Sequence, residues 1–356
     1  MTPVKQAKFN FPTKQSLGSL YLAERSFPHQ RQWIGDAKGP MALNIPENKN
    51  LGIALGQLGS GGLSSLTPEE THLFSSLDFS ASYFNDKTVQ SAPGLGVSMP
   101  NLNELRLDFL KVGAREMESL RYFSGLKTLW LTGTELADDG LDALGSLDGL
   151  VHLILKKTRI TDGGITKLKN LSALQTLNVP AQITDDGLKC FADFKNLTRL
   201  DISDTAISDY GVKYLVPMES IAEIYLNDTK LTDGVFEHLV QMTTLRTIFL
   251  SGTKVTDNGI VQMEKNQKLE HLELRDTSAT ELGIARLRSK LPACAISDLN
   301  GECGCGLFFA ADENNIGSDL IWHSVFRIFY LAIGIVTSRA GLEFTMLCGQ
   351  HAPDFS

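Results

Sequence analysis

Residues Leu150–Leu174 read LVHLILKKTRITDGGITKLKNLSAL. Leu153 and Leu155 alternate, as apolar residues do on a strand with one buried face. Thr158 and Ile160-Thr161-Asp162 follow, then Gly164-Ile165, with Leu168 and Leu171 at helical intervals. The stretch therefore encodes a short strand, a turn and a short helix. One such unit cannot bury its apolar face alone; it needs a copy stacked on each side.

The copies are present. The unit's first position falls at Phe74, Leu102, Leu126, Leu150, Leu174, Leu197, Ile221, Leu245 and Leu269. The steps are 28, 24, 24, 24, 23, 24, 24 and 24 residues. The long step reflects extra residues around Ser91–Gly96, and the short one a deletion near Pro180-Ala181. Leu291–Ile296 adds a final strand, so the expectation is nine units and a partial tenth.

Each repeated position has a physical task. The paired leucines (Leu129 and Leu131, Leu272 and Leu274) point inward on alternate strand residues. Thr134, Thr158, Thr205, Thr229, Thr253 and Thr277 recur just after the strand, where a hydroxyl can satisfy turn backbone groups. Thr161, Thr184, Ser208 and Thr256 stand where a helix N-cap belongs. Asp162, Asp185, Asp209 and Asp257 follow in the first turn, where negative charge is favoured. Glycines such as Gly164, Gly187 and Gly211 mark a place where backbone must approach closely. An aspartate recurring coil after coil reads as a structural cap and not as a metal ligand.

Across Phe74–Ile296 these spacings resemble the leucine-rich repeat family, whose units of about 20–29 residues stack into a horseshoe. The motif Thr-x-Ile-Thr-Asp-x-Gly-Leu resembles the ribonuclease-inhibitor-like and F-box-linked branch, and similar bacterial arrays. No F-box-like helical segment precedes it. The resemblance implies an α/β solenoid, with a parallel sheet on the concave face and short convex helices. It also implies non-catalytic protein binding.

Residues 1–62 lie outside the repeat. Met41–Ile45 and Leu51–Leu55 both alternate around Pro46–Asn50, which predicts a β-hairpin with a five-residue loop, capping the array's uncovered end. A separate binding module is the alternative. Thr67-Pro68-Glu69-Glu70 predicts a helix start with a capping box, opening the array at 63–296. The tail, 297–356, changes character: it contains no lysine and carries Cys303 and Cys305. Leu320–Val336 is apolar but includes His323 and Arg327. Three readings stand for it: a membrane anchor, a helix packed on the open end, or a poorly ordered or non-native tail.

Within the array, the residue between the two strand leucines points away from the core. In order these are Asp78, Arg106, Trp130, Ile154, Asn178, Asp201, Tyr225, Phe249 and Glu273. Trp130 and Ile154 are neighbours, as are Tyr225 and Phe249. Large apolar side chains held outward on a rigid sheet are costly to hydrate, and aromatic and Arg residues are enriched in interface hot spots. The expected partner-binding set is therefore Arg106, Trp130, Ile154, His152, Lys156, Tyr225, Phe249 and Arg275. Cover by the chain's own tail is the competing reading. With the flanking outward positions, nine acidic side chains face five basic ones, a balance that favours a protein partner with a mixed or basic patch.

The formal net charge of -8 disfavours a generic nucleic-acid binder. There is no Gly-Lys-Ser/Thr phosphate loop, no His-Glu-x-x-His and no Gly-x-Ser-x-Gly. Cys303-Gly-Cys305 lacks a second pair for zinc. The expectations are no enzyme activity, no cofactor, no metal, no small-molecule substrate and no nucleic acid. Membrane contact is expected only if 320–336 anchors the chain. The five cysteines form no disulfide framework, and the N-terminus has no apolar core of signal-peptide length, which points to a cytoplasmic compartment. Two alternatives to a binding module are a membrane-tethered scaffold and a regulatory or adaptor subunit, such as one in a ubiquitin ligase.

Overall fold

The computed structural model describes residues 4–11, 18–24, 31–38, 40–55, 66–79 and 99–298. The candidate anchor Leu320–Val336 and the Cys303–Cys305 pair lie outside them. No helix among the described residues is long and apolar enough to cross a membrane.

Ten parallel strands form the array: β6 (Phe74–Asp78), β7 (Glu104–Arg106), β8 (Thr128–Trp130), β9 (His152–Ile154), β10 (Thr176–Asn178), β11 (Arg199–Asp201), β12 (Glu223–Tyr225), β13 (Thr247–Phe249), β14 (His271–Glu273) and β15 (Ala295–Ser297). Equivalent residues pair from coil to coil. Leu105, Leu129, Leu153, Leu177, Leu200, Ile224, Ile248, Leu272 and Ile296 form one unbroken buried row. Such a register makes every coil's core continuous with the next. The opposite side of each coil holds four-residue α-helical turns and 3-10 segments, such as Asp162–Ile165 followed by Thr166–Asn170. The helix Glu281–Lys290, in the last coil, reaches ten residues.

Five strands precede the array: β1 (Val4–Asn10), β2 (Gly18–Glu24), β3 (Arg31–Asp36), β4 (Pro40–Pro46) and β5 (Lys49–Leu55). The alternating segments do become strands, β4 and β5, but the expected hairpin pairing is corrected. β4 pairs antiparallel with β1 in a separate two-stranded sheet. β5 joins the long sheet, parallel to β6 and antiparallel to β2, and β3 forms the edge. The physical reason is burial. Leu51 and Ile53 are needed against Phe74 and Leu77 of the first coil, so β5 is claimed by the array and not by its sequence neighbour. The predicted capping box is present: Thr67 N donates to Glu70 Oε2 at 2.7 Å and Glu70 N to Thr67 Oγ1 at 3.3 Å.

Two sets of polar contacts recur along the array, one within each coil and one between coils. The post-strand threonines donate as expected, for example Thr158 Oγ1 to Leu155 O at 2.8 Å and Thr205 Oγ1 to Ile202 O at 2.7 Å. The cap residues do something the repeat pattern does not announce. Thr161 N and Oγ1 both donate to Asp138 of the preceding coil, at 2.8 and 2.6 Å. Thr184 repeats this on Asp162, Ser208 on Asp185, Thr232 on Asp209, Thr256 on Asp233 and Thr280 on Asp257. Thr161 and Ser208 make no side-chain cap bond in their own helices. Thr256 and Thr184 do accept in their own turns, from Asn258 N and Asp186 N, as expected of caps. The aspartate stands in its own helix's first turn and also serves the next coil.

This clasp explains the glycine. A Cβ on Gly211 would overlap the Asp185 carboxylate, which Ser208 already pins with two hydrogen bonds. A Cβ on Gly145, at a different position in the helical segment Asp138–Ser146, would meet nothing within 4 Å. Gly211→Ala is expected to lower stability by about 1–3 kcal/mol, because the carboxylate must leave its partners. Gly145→Ala is expected to be neutral or slightly stabilising. Urea unfolding of both variants checks the contrast.

Candidate interaction surface

The central outward row stands on the sheet face opposite the main core. Trp130, Ile154, Tyr225 and Phe249 are not members of the contiguous core cluster. Their solvent-facing character is nevertheless corrected: they are only 4, 3, 4 and 7 % exposed. Part of that cover comes from the row itself. Tyr225 stacks on Phe249 with centroids 4.3 Å apart and rings 8° from parallel, and His271 lies 5.2 Å beyond. The Arg106 guanidinium sits 3.9 Å above the Trp130 ring. At the strand spacing of about 4.8 Å, one side chain per coil is enough for rings to stack along the row. These residues form a floor rather than free hot spots.

Lys156 is corrected as well. It is buried, with its ammonium 3.2 Å from Asp201 Oδ1 and 2.9 Å from Ser203 O. Asp201 is itself engaged, taking Ser203 N at 3.0 Å and Asn178 Nδ2 at 3.1 Å. Arg275 lies half-buried on the same sequence position three strands beyond β11. The expected set therefore does not converge on one point. It divides into a stacked floor, a buried ionic knot and partly exposed edges.

The accessible chemistry lies on those edges. On one side His152, Arg199, Glu223 and His271 are half-buried. Arg199 pairs with Glu223 at 2.6 Å, and His152 Nδ1 is 3.0 Å from Thr176 Oγ1. On the other side run residues with left-handed backbone: Phe109, Gly133, Lys157, Asp204, Asp228, Gly252 and Asp276. Asp204, Asp228 and Asp276 are exposed. Desolvation, and then the charges of Asp204 and Asp276, push the Asp228 carboxyl above its ordinary range. Phe109 is unexpected. It is 69 % exposed, and its ring lies over Gly133, where a Cβ would come within 2.5 Å of it. It stands at the repeat position of Gly133, Asp204, Asp228, Gly252 and Asp276, where recurring glycine and aspartate signal a left-handed backbone, so the repeat spacing could have found it.

At the cap end a second knot forms around Arg31 of β3. It bonds Asp78 Oδ2 at 2.5 Å and reaches Glu104 Oε1 at 3.4 Å. Ser76 Oγ donates to Glu104 Oε2 at 2.8 Å, and the Tyr21 hydroxyl lies 2.6 Å from Ser76 Oγ. Burial, and then the Glu104 charge, raise the Tyr21 phenol above its usual value. The sequence tally of nine acids and five bases treats Asp78 and Glu104 as free surface charge, but both are buried and neutralised from the cap. Among the described residues no three His, Cys, Asp or Glu side chains come together as metal ligands.

Desolvation, with Arg199 adding to it, lowers His152 from 6.5 to about 4. Between those values the unfolded chain binds the proton that the folded chain refuses, so stability falls as pH drops through this window. His152 is expected to titrate near pH 4 by NMR. His152→Gln is expected to flatten the acid limb of the stability profile between pH 6.5 and 4.

A family model described as Leucine Rich repeat matches residues 195–216. No curated protein matches the chain. Among solved structures, an internalin from Listeria monocytogenes has 21% identity and a TM-score of 0.50, over 64% of this chain and 62% of its own. An internalin C2 from the same organism has 17% identity and a TM-score of 0.47, over 60% of this chain and 91% of its own. The plant peptide hormone receptor RGFR1, solved in complex with RGF2, has 15% identity and a TM-score of 0.42, over 71% of this chain and 39% of its own. This chain thus spans less than two thirds of the first internalin, and the likeness concerns the fold. The repeat spacing, the coil geometry and the matched repeat together give this chain a leucine-rich repeat fold.

Proposed function

We propose that the array is a non-catalytic protein-binding module that docks its partner on the edges of the inner sheet face. One observation carries this reading: that face is prebuilt. Its floor is stacked, its ionic groups are paired, and its edge side chains are held by bonds between coils. A surface already ordered loses little side-chain freedom on docking. Polar edges around an apolar floor also match the rim-and-centre layout of interfaces. The exposed row Asp204, Asp228 and Asp276 favours a partner with a basic patch there.

Phe109 gives a second line of support. A bulky residue with φ of 61° costs on the order of 1–2 kcal/mol in backbone strain. The strain serves no burial, since the ring is mostly in solvent. An exposed aromatic kept at such a cost suits a contact residue.

Site-specific photocrosslinking tests the reading. A crosslinker at Thr247, on the half-buried edge row, is expected to capture the partner, whereas one at Tyr210, exposed on the opposite side, is not. Capture from Tyr210 alone would sink the inner-face proposal. Phe109→Asn is expected to hold or raise stability, by up to about 1 kcal/mol, while weakening binding of the captured partner about tenfold. Calorimetry and urea unfolding read the two effects separately.

A further inference from the structure

Two backbone ladders run along the array, and both stop at the same coil. In the first, Phe109 N donates to Thr132 O, Gly133 N to Lys156 O, Asp204 N to Asn227 O and Asp228 N to Ser251 O. In the second, Arg159 N donates to Leu136 O, Lys230 N to Ile207 O and Lys254 N to Leu231 O. Among the described residues neither ladder has a rung on either side of Pro180–Ile183, the coil that is one residue short. The flanking coils carry left-handed residues at Lys157 and Asp204, and Ala181 between them does not. Without that turn the short coil's amides are not aimed at their neighbours.

Lys156 stands across the gap. Its side chain leaves the coil before, passes Pro180 and ends on the coil after. The ammonium lies 2.9 Å from Ser203 O, 3.2 Å from Asp201 Oδ1 and 3.5 Å from Asp204 Oδ2. Two hydrogen bonds, to Ser203 O and Asp204, and an ion pair with Asp201 hold the buried ammonium. Ser203 O occupies the ladder position held elsewhere by Thr132 O, Lys156 O and Asn227 O. It is the carbonyl that the short coil leaves without its amide. Two strand spacings are about 10 Å, a span that an extended lysine stem and one hydrogen bond can bridge.

We propose that Lys156 is a splint: its ammonium replaces the ladder amide that the short coil lacks, and it couples the array before Pro180 to the array after Thr198. The short coil is thereby the place where the amide ladders are interrupted, held by the buried leucine row, by strand pairing, by the clasps Thr184–Asp162 and Ser208–Asp185, by Asn178 on Asp201 and by this side chain.

A double-mutant cycle in the full-length chain tests this, read by native-state hydrogen exchange. Lys156→Met keeps the stem and removes the ammonium. It is expected to speed exchange at Leu155, Val179 and Asp204, whose amides bond the next coil, by about tenfold or more, with β13 and β14 changing less than about twofold. A second background restores a 24-residue coil by inserting one residue after Gln182 and changing Pro180→Ser. In that background Lys156→Met is expected to change exchange by less than about twofold, because amide rungs now do the work. Folding of Lys156→Met only in the restored background supports the proposal equally. Equal effects in the two backgrounds, no effect in the native one, or failure to fold in both would overturn it. Should the restored coil itself not fold, Lys156→Arg in the native chain decides. An arginine that reaches the same acceptors returns protection at Val179 and Asp204, and exchange as fast as in Lys156→Met would end the splint.

Discussion

The structure depends on a carboxylate that one coil lends to the next. Asp138, Asp162, Asp185, Asp209, Asp233 and Asp257 each accept the backbone amide and the hydroxyl of a Thr or Ser one coil further on. Burial alone would allow neighbouring coils to slide or rotate, because leucine rows are non-directional in their attraction. A two-point, charge-assisted contact is directional and fixes the register. The glycine that makes room for it, the threonine that donates and the aspartate that accepts are therefore one device spread over two coils. Loss of any of the three removes the function of the others.

That device also explains what the sequence makes legible. The strand leucines and the 24-residue period specify the solenoid, because each apolar residue has one face to bury and only a stacked copy to bury it against. The aspartate was visible as a recurring position, but its partner lies in the next coil. A reading that looks within one helix assigns it to its own N-terminus. The same locality misleads at the cap. Alternation locates β4 and β5 correctly, but strand partners are chosen by burial against Phe74 and Leu77, residues that a turn signal does not consult.

The inner face was half legible. Period-two alternation places Trp130, Ile154, Tyr225 and Phe249 on the side opposite the leucines, as observed. Their exposure could not follow from alternation, since side chains one strand apart cover each other by stacking. Lys156 shows a related limit. Its outward position is correct, but the short coil beside it draws the ammonium inward to Ser203 and Asp201. Phe109 falls on a repeat position where Gly133, Asp204, Asp228, Gly252 and Asp276 signal a left-handed backbone, but the aromatic hides that signal in its own coil.

The order of strands at the cap has a bearing on how such a molecule grows. β5 continues the parallel run, β2 runs against it, and β3 turns back again, with the β2–β3 pairing interrupted by a bulge between Leu20 and Tyr21. A coil added at this end would have to displace the antiparallel β2 from β5 before it could stack on the array. Duplication between existing units, by contrast, meets a parallel strand on both sides. The single missing residue beside Pro180 is the mark such interior editing would leave.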